Sequence, residues 1–403
     1  KVYVLEQKKL KTIPGWPFVY WVSDKVRHLF KKCLLNNVAD PRQGNQTCDN
    51  KRFLRLWWEV GQSNVKFEAQ TKEEATKHEK KWHPYMKGGA VNRWYGNQEY
   101  VINFLNNGKE MRIYRESVGQ SQYLPGEDYY FREGATYSFL TVCNLSVRYM
   151  PVGFIFDVAG SSIFPKKTNV YLLLGILNSK ISVFLIKVLN PTVNYQVGDI
   201  ARIPYPDQSR YPELIERVKE LVKKCIELKK EDTKKDEISW EFVSPPRWAT
   251  GIIETLECGK HLAIFESEIS EAVYKLYDMA QEDIDQIESE LGRLPGQFPK
   301  INNLNDDELK IIKSLYLEKH IPSEVVNQNK ESSDEESDEA KDLKRESTNR
   351  KGRSKRFLTL EEICLASSFH PETVYEYIKA NNLEREEERF ALAVRYISYA
   401  LGV

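Results

Sequence analysis

Two different periodicities divide the chain near Pro212. Ahead of it, apolar residues come in short runs broken by glycine, asparagine and proline, the pattern of short strands and turns. Val147 to Tyr149, Phe154-Ile155-Phe156 and Tyr129-Tyr130-Phe131 read as strands. Val101 to Tyr114 reads as a hairpin, because Asn107-Gly108 suits a tight turn in which both positions take φ > 0. Val170 to Val188 is apolar throughout most of its length and reads as a buried helix or helix pair.

From Pro212 the period lengthens. Leu214, Val218, Leu221, Cys225 and Leu228 recur at steps of four and three, which places them on one stripe of a helix. Glu213/Arg217 and Glu220/Lys224 sit four apart on its polar side. A second amphipathic segment runs from about His261 to Tyr277, and a third, Glu282 to Leu291, is stopped by Gly292 and Pro295. Residues 331–339 are acidic and 350–356 basic, so 327–356 reads as a flexible linker whose charges are solvated rather than tracking phosphates. Thr359 to Glu362 then fits a capping box, and helices run to the end. Glu361–Ala366 with Pro371–Ala380 fits an ordinary helical hairpin better than a DNA-binding helix-turn-helix. The expected fold class is α+β. A strand-rich mixed domain (1–207) precedes a helical spacer (208–326), the charged linker (327–356) and a helical C-terminal segment (357–403).

Composition narrows the function classes. The 403 residues carry 59 Lys+Arg against 59 Asp+Glu, which excludes a uniformly basic coat but leaves room for a local basic face. Aromatics make up 12%, with 8 Trp and 22 Tyr, enough to serve both a core and a recognition surface. The six cysteines are scattered without a C-x-x-C pair, so zinc is not expected and a reducing, cytoplasmic setting is. No signal peptide pattern opens the chain, and the apolar run Val170 to Leu189 is interrupted by Asn178, Ser179, Lys180 and Lys187, so a membrane span is not expected. Starting at Lys1 and stopping in mid-pattern, the chain is expected to be a piece of a longer polypeptide.

Catalytic signatures are missing where they would be recognisable. Ser244-Pro245-Pro246-Arg247 lacks the aromatic that an amino-methyltransferase loop needs to stack on a flipped base, and it follows a long helix. Phe156 to Ser162 has one glycine and no G-x-G, and reads as a turn between packed strands. No phosphate-binding loop, zinc-protease motif or nucleophile elbow occurs. The six histidines fall at no metal spacing; His83, between Trp82 and Pro84, reads as a packed ring. No catalytic residue is assigned, whether the chain is itself an enzyme stays open, and a nuclease has no paired acids to support it.

The densest chemistry lies from Lys80 to Asn97, where cations alternate with aromatics and glycines. Lys81 and Lys87 suit phosphates, Arg93 can fork onto a guanine edge or a phosphate, and Asn92 or Asn97 can pair with adenine. A structural loop with core aromatics and a Gly88-Gly89 turn explains the same composition equally well. Arg42 and Gln43 precede Gly44 in a loop from which side chains reach a groove, and Arg52 and Arg148 complete the DNA-contact set. Arg52 and Arg55 have a plainer alternative, surface pairs with Asp49 and Glu59. Asn194 and Gln196 are read as satisfying buried backbone groups rather than bases.

Several ordered stretches resemble the region that follows the methylase domain in PglX-type BREX methyltransferases. They are Ile13-Pro14-Gly15 with Tyr20 to Ser23; Ala39 to Gly44; Asp49 to Trp57; Lys81 to Asn97; Val147-Arg148-Tyr149; Gly153 to Ser162; Leu189 to Ile200; and Ile397 to Gly402. The resemblance is dense over 1–207, loose over 208–300 and limited to the last motif beyond; the charged linker matches no pattern of the family. It implies a target-recognition domain, spacer and tail of an N6-adenine DNA methyltransferase that marks non-palindromic host sites in phage defence. Duplex DNA and the enzyme's own N-terminal methyltransferase domain are the implied partners, with other BREX proteins beside them, and S-adenosylmethionine is expected on that other domain, with no cofactor on this chain. The rival reading is a scaffold whose helices at 212–231 and 261–291 dock other defence proteins or a phage inhibitor through an exposed apolar stripe.

Overall fold

The computed structural model describes residues 6–77, 79–140, 144–317 and 357–401. The linker expected at 327–356 lies outside the described residues. Contacts divide the chain into two units. The first is Lys1–Gly251, Phe265–Leu294 and Leu392–Val403; the second is Ile252–Ile264 and Pro295–Ala391.

The first unit is the mixed α and β region. Its strands are β1 (Ala39–Arg42), β2 (Leu54–Leu56), β3 (Trp82–Met86), β4 (Tyr100–Asn103), β5 (Gly134–Tyr137), β6 (Val147–Met150), β7 (Ile155–Phe156) and β8 (Ser162–Pro165). They form two four-stranded sheets, ordered β1-β8-β5-β6 and β2-β4-β3-β7. The first is antiparallel throughout, and the second is antiparallel except where β7 joins β3 in parallel. The expected turn Phe156 to Ser162 is present, and it carries the chain from one sheet to the other. Its Asp157 is buried, accepting from the Tyr85 hydroxyl at 2.6 Å and the Ala159 amide at 2.7 Å. Gly160 permits the crossing, because a Cβ there would lie 2.7 Å from the Met86 carbonyl oxygen.

Two strand expectations are overturned. No hairpin spans Val101 to Tyr114: β4 pairs instead with β2 and β3, and a helix, Leu105–Ser117, follows it. Asn106, Asn107 and Gly108 do take positive φ, but as a left-handed turn opening that helix. Met111 and Arg115, four apart, are buried on it, a helical spacing that outweighed the turn signal. Tyr129-Tyr130-Phe131 is not a strand either. Glu127–Tyr129 is a 3-10 turn and Phe131 sits at φ 68°, which extended backbone cannot accommodate.

The apolar run after Asn169 is the expected helix pair, Val170–Asn178 and Lys180–Leu189, bent by 70° and buried almost throughout. No single described helix is long and apolar enough to cross a membrane. The helix Pro212–Thr233 packs on Val170–Asn178, where Gly175 admits Val218; a Cβ at 175 would lie 2.5 Å from the valine methyl. The expected pairs at four-residue spacing give way to longer-range contacts. Arg217 pairs with Glu268 at 2.5 Å, and the Lys224 ammonium sits 5.7 Å from the Phe265 ring centre. The segment expected from His261 begins earlier, at Gly251, and runs to Leu276; Gln281–Leu291 follows as expected. Val218, Leu221, Cys225, Ile269, Val273 and Ile287 are all buried, so these helices do not present the exposed stripe that the scaffold reading needs.

The second unit is helical around its own core, which includes Ile312, Tyr316, Leu360, Ile363, Val374 and Ile378. Thr359 and Glu362 form the expected capping box. The helices Leu360–Ser367 and Pro371–Ala380 are a hairpin in which Val374, Tyr375 and Ile378 are buried while Glu372 and Glu376 face outward.

Candidate nucleic-acid interface

The expected contact residues fall into three settings. Arg42 and Gln43 stand at the end of β1, in a cleft of ≈ 420 Å³ shared with Tyr123, Asp128, Tyr129 and Arg132. Gly126 closes the loop onto them: at φ 78°, a Cβ there would meet the Phe156 ring at 2.7 Å and the Gln43 carbonyl oxygen at 2.9 Å. Tyr129 is the centre. Its ring packs on Phe164 with centroids 4.8 Å apart, and it carries two guanidinium groups, Arg42 at 4.7 Å and Arg132 at 5.2 Å. Arg42 donates to the Tyr129 hydroxyl at 2.8 Å, and that hydroxyl donates to Asp40 at 3.0 Å.

The charge balance of this cleft is positive. Asp40 lies 3.1 Å from the Lys166 ammonium and 3.5 Å from Arg42, so one carboxylate serves two cations. Burial works to raise the Asp40 carboxyl, but hydrogen bonds from Lys166 and Tyr129 outweigh it and hold it below its usual range. Arg132 is exposed and has no carboxylate partner among the described residues. Tyr123, 48% exposed, forms the outer wall, its hydroxyl 3.3 Å from Asp128.

A second group gathers on and beside the other sheet. Trp82 of β3 carries Lys81 at 5.2 Å and Arg55 at 5.9 Å. Arg52, 46% exposed, bonds Glu110 at 3.0 Å and lies 5.0 Å from the Tyr114 ring centre. Asn103 donates to the other Glu110 oxygen at 2.8 Å. The hydrogen bond from Arg52 is the main reason the Glu110 carboxyl is held below its usual range. Lys87 rests over Tyr100 at 4.9 Å. The surface pairs expected for Arg52 and Arg55 do not form. Asp49 caps the short helix Asn50–Phe53 through the Arg52 amide, Glu59 accepts from the Leu56 amide, and Arg55 donates to the carbonyls of Lys51 and Leu54.

The remaining three are engaged inside the unit. Arg93 bonds one oxygen of Glu266 at 2.6 Å while the Trp94 indole bonds the other, also at 2.6 Å. Asn97 accepts from Asn92 at 2.6 Å and donates to the Ala90 carbonyl at 2.8 Å, so neither amide is poised to pair with adenine. Gly88 makes its close approach to the Ala159 carbonyl, 2.4 Å from where a Cβ would stand, rather than to a ligand. Arg148 is 0% exposed, and this overturns its place among surface contacts. It reaches Ser138 at 3.3 Å with one nitrogen, and burial lowers its pKa to about 10.

Asn194 and Gln196 are exposed, contrary to the expectation that they satisfy buried groups; in that loop Asn190 donates to the Asn194 carbonyl and to Asp199, which accepts from the Gln196 amide. The residues missed from sequence are Tyr123, Tyr129 and Arg132. The spacing of Gly126 and Gly134 around three aromatics and an arginine was a signal for a loop, read as a strand. Among the described residues, no cluster of His, Cys, Asp and Glu could hold a metal ion.

No family model matches the chain. It is 34% identical over 241 residues to the adenine-specific methyltransferase BrxX of Escherichia coli O9:H4 (strain HS), covering 59% of this chain and 18% of that protein. It is 33% identical over 248 residues to the adenine-specific methyltransferase PglX of Lacticaseibacillus casei (strain Zhang), covering 60% and 20%. The chain thus spans about a fifth of the length of the curated relatives it matches. Among solved structures, the Type IIL restriction-modification enzyme MmeI in complex with DNA is a loose likeness, with a TM-score of 0.40 and 13% identity over 64% of this chain and 35% of that one. The resemblance read from the motifs and the identity to both relatives agree: over its matched region the chain is homologous to the PglX-type BREX adenine-specific methyltransferases.

Proposed function

We propose that this chain contributes DNA recognition to a site-specific N6-adenine DNA methyltransferase of BREX phage defence. The observation that carries the reading is the Tyr129 cleft. Two guanidinium groups lie on one aromatic ring there, with Gln43 lining the same cleft; Arg42, Arg132 and Lys166 outnumber the carboxylates Asp40 and Asp128, and Arg132 has no ion pair among the described residues. Guanidinium groups held on a ring are preorientated to fork onto phosphate oxygens or a guanine edge, and Gln43 beside them has the donor–acceptor pair that adenine requires. Lys81, Lys87, Arg55 and Arg52 supply further cations for the duplex backbone. Methyl transfer and S-adenosylmethionine belong, on this reading, to another part of the full-length enzyme, which is the chain's first partner.

Duplex binding by fluorescence anisotropy, with calorimetric titration of S-adenosylmethionine alongside, tests the reading. Weak, steeply salt-dependent duplex binding without a cofactor isotherm is expected. No duplex binding at low salt, or a saturable micromolar cofactor isotherm, would overturn it.

A further inference from the structure

The first unit holds a larger cleft, ≈ 660 Å³, lined by none of the residues considered for DNA contact. It is a size that takes small molecules. Leu29, Val38, Leu276 and the rings of Tyr205 and Tyr277 line its depth. Both tyrosine hydroxyls are already engaged: Tyr277 donates to the Pro204 carbonyl at 2.7 Å, and Tyr205 shares a 2.6 Å bond with Thr168. The floor therefore offers carbon rather than hydrogen-bonding groups.

The rim has the opposite character. Asp207 accepts from the amide and hydroxyl of Ser209, at 3.0 and 2.8 Å. Asp278 holds Arg210 and accepts from the Tyr211 hydroxyl at 2.7 Å. Asp207 keeps its charge, since Ser209 is neutral, and it interacts with Lys32, but Lys32, Lys167 and Arg210 outnumber the two carboxylates of the lining. The exposed Lys32 and Lys167, neither of them in an ion pair among the described residues, are the cations that an entering anion meets. We propose that this cleft binds an organic anion with an apolar, ring-sized body, its charge meeting Lys32 and Lys167 and its body lying on the Leu276, Tyr205 and Tyr277 floor. The inference does not depend on the DNA reading.

Cys33, an exposed free thiol in the cleft wall, serves as a reporter. The 403-residue chain is alkylated with N-ethylmaleimide, and the rate at each cysteine is read by peptide mass mapping. The probe 1-anilinonaphthalene-8-sulfonate, at several times its Kd, is expected to slow Cys33 about fivefold and leave Cys48 unchanged. Lys32→Glu with Lys167→Glu should abolish the protection, and the charge-neutral Lys32→Gln with Lys167→Gln should weaken it. Adenosine monophosphate forms a second arm, which separates nucleotides from hydrocarbon-bodied anions as the occupant. An unchanged Cys33 rate with both probes, or protection that survives the Glu substitutions, overturns the proposal. Equal protection by inorganic phosphate alone overturns the role of the apolar floor.

Discussion

The turn from Asn92 to Gln98 and the cleft around Tyr129 are made of the same materials, arginine, aromatic rings, amides and glycine, and they put them to opposite uses. In the turn, Arg93 and the Trp94 indole both bind Glu266, while Asn92 and Asn97 bind each other and the backbone. In the cleft, Arg42 and Arg132 lie on a ring, Arg42 sharing Asp40 with Lys166 and Arg132 exposed without an ion pair among the described residues. The deciding residue is remote: Glu266 stands 173 positions from Arg93 in sequence. What separates the two settings is how fully a carboxylate is committed: Glu266 serves Arg93 and the Trp94 indole at 2.6 Å each, whereas Asp40 is shared between Lys166 and a more distant Arg42, and Arg132 has no ion pair among the described residues.

That contrast can be broken in four ways. The largest effect is expected from Glu266→Ala, which removes the carboxylate that Arg93 and the Trp94 N–H share; about 2–4 kcal/mol of stability should be lost in urea denaturation. A loss below about 1 kcal/mol would mean the turn holds without that anchor. Next, Arg42→Ala with Arg132→Ala should weaken duplex binding about tenfold and lower the salt slope by about two, while Arg93→Ala leaves both nearly unchanged. Anisotropy titrations over a salt series read both quantities, and a large Arg93 effect would reverse the assignment.

Third, Arg148→Met should be neutral or stabilising by about 1 kcal/mol, because it exchanges a buried, weakly bonded cation for an apolar chain of similar reach. Strong destabilisation in thermal melts would reveal a partner for the guanidinium. The smallest effect concerns Glu110. Its folded-state pKa is depressed, chiefly by the Arg52 hydrogen bond, so its contribution is present above the unfolded carboxylate pKa and lost as pH falls through the folded value. With both side chains 46% exposed, solvent limits it to about 0.5 kcal/mol. Glu110→Gln should flatten that part of the acid stability profile; an unchanged profile would show that the pair adds nothing.

Where local pattern and final environment agreed, the elements were legible. The stripe from Val218 to Cys225 needed only a helix to pack against, and the buried pair after Asn169 had no polar face to misplace. Thr359 and Glu362 satisfy each other's backbone within one turn, so no tertiary contact decides them. Asn107-Gly108 shows the limit: its positive φ was readable, but whether a strand or a helix followed depended on Met111 and Arg115 finding a core. In the candidate interface, Arg42 and Gln43 were readable from a loop-like run ending in glycine, whereas Arg132 and Tyr129 were hidden because three adjacent aromatics imitate a strand.

The amino-acid order by itself determined the two periodicities, the helix caps, the absence of recognisable catalytic motifs and the kinship to PglX-type methyltransferases. Each of these rests on neighbours along the chain or on the order of motifs. Only the tertiary structure decided the setting of each cation: Arg148 buried on β6, Arg93 against a distant glutamate, Arg42 and Arg132 on the Tyr129 ring. Burial and ion pairing act through space over a few ångströms, and the partners that impose them come from parts of the chain that no local window contains.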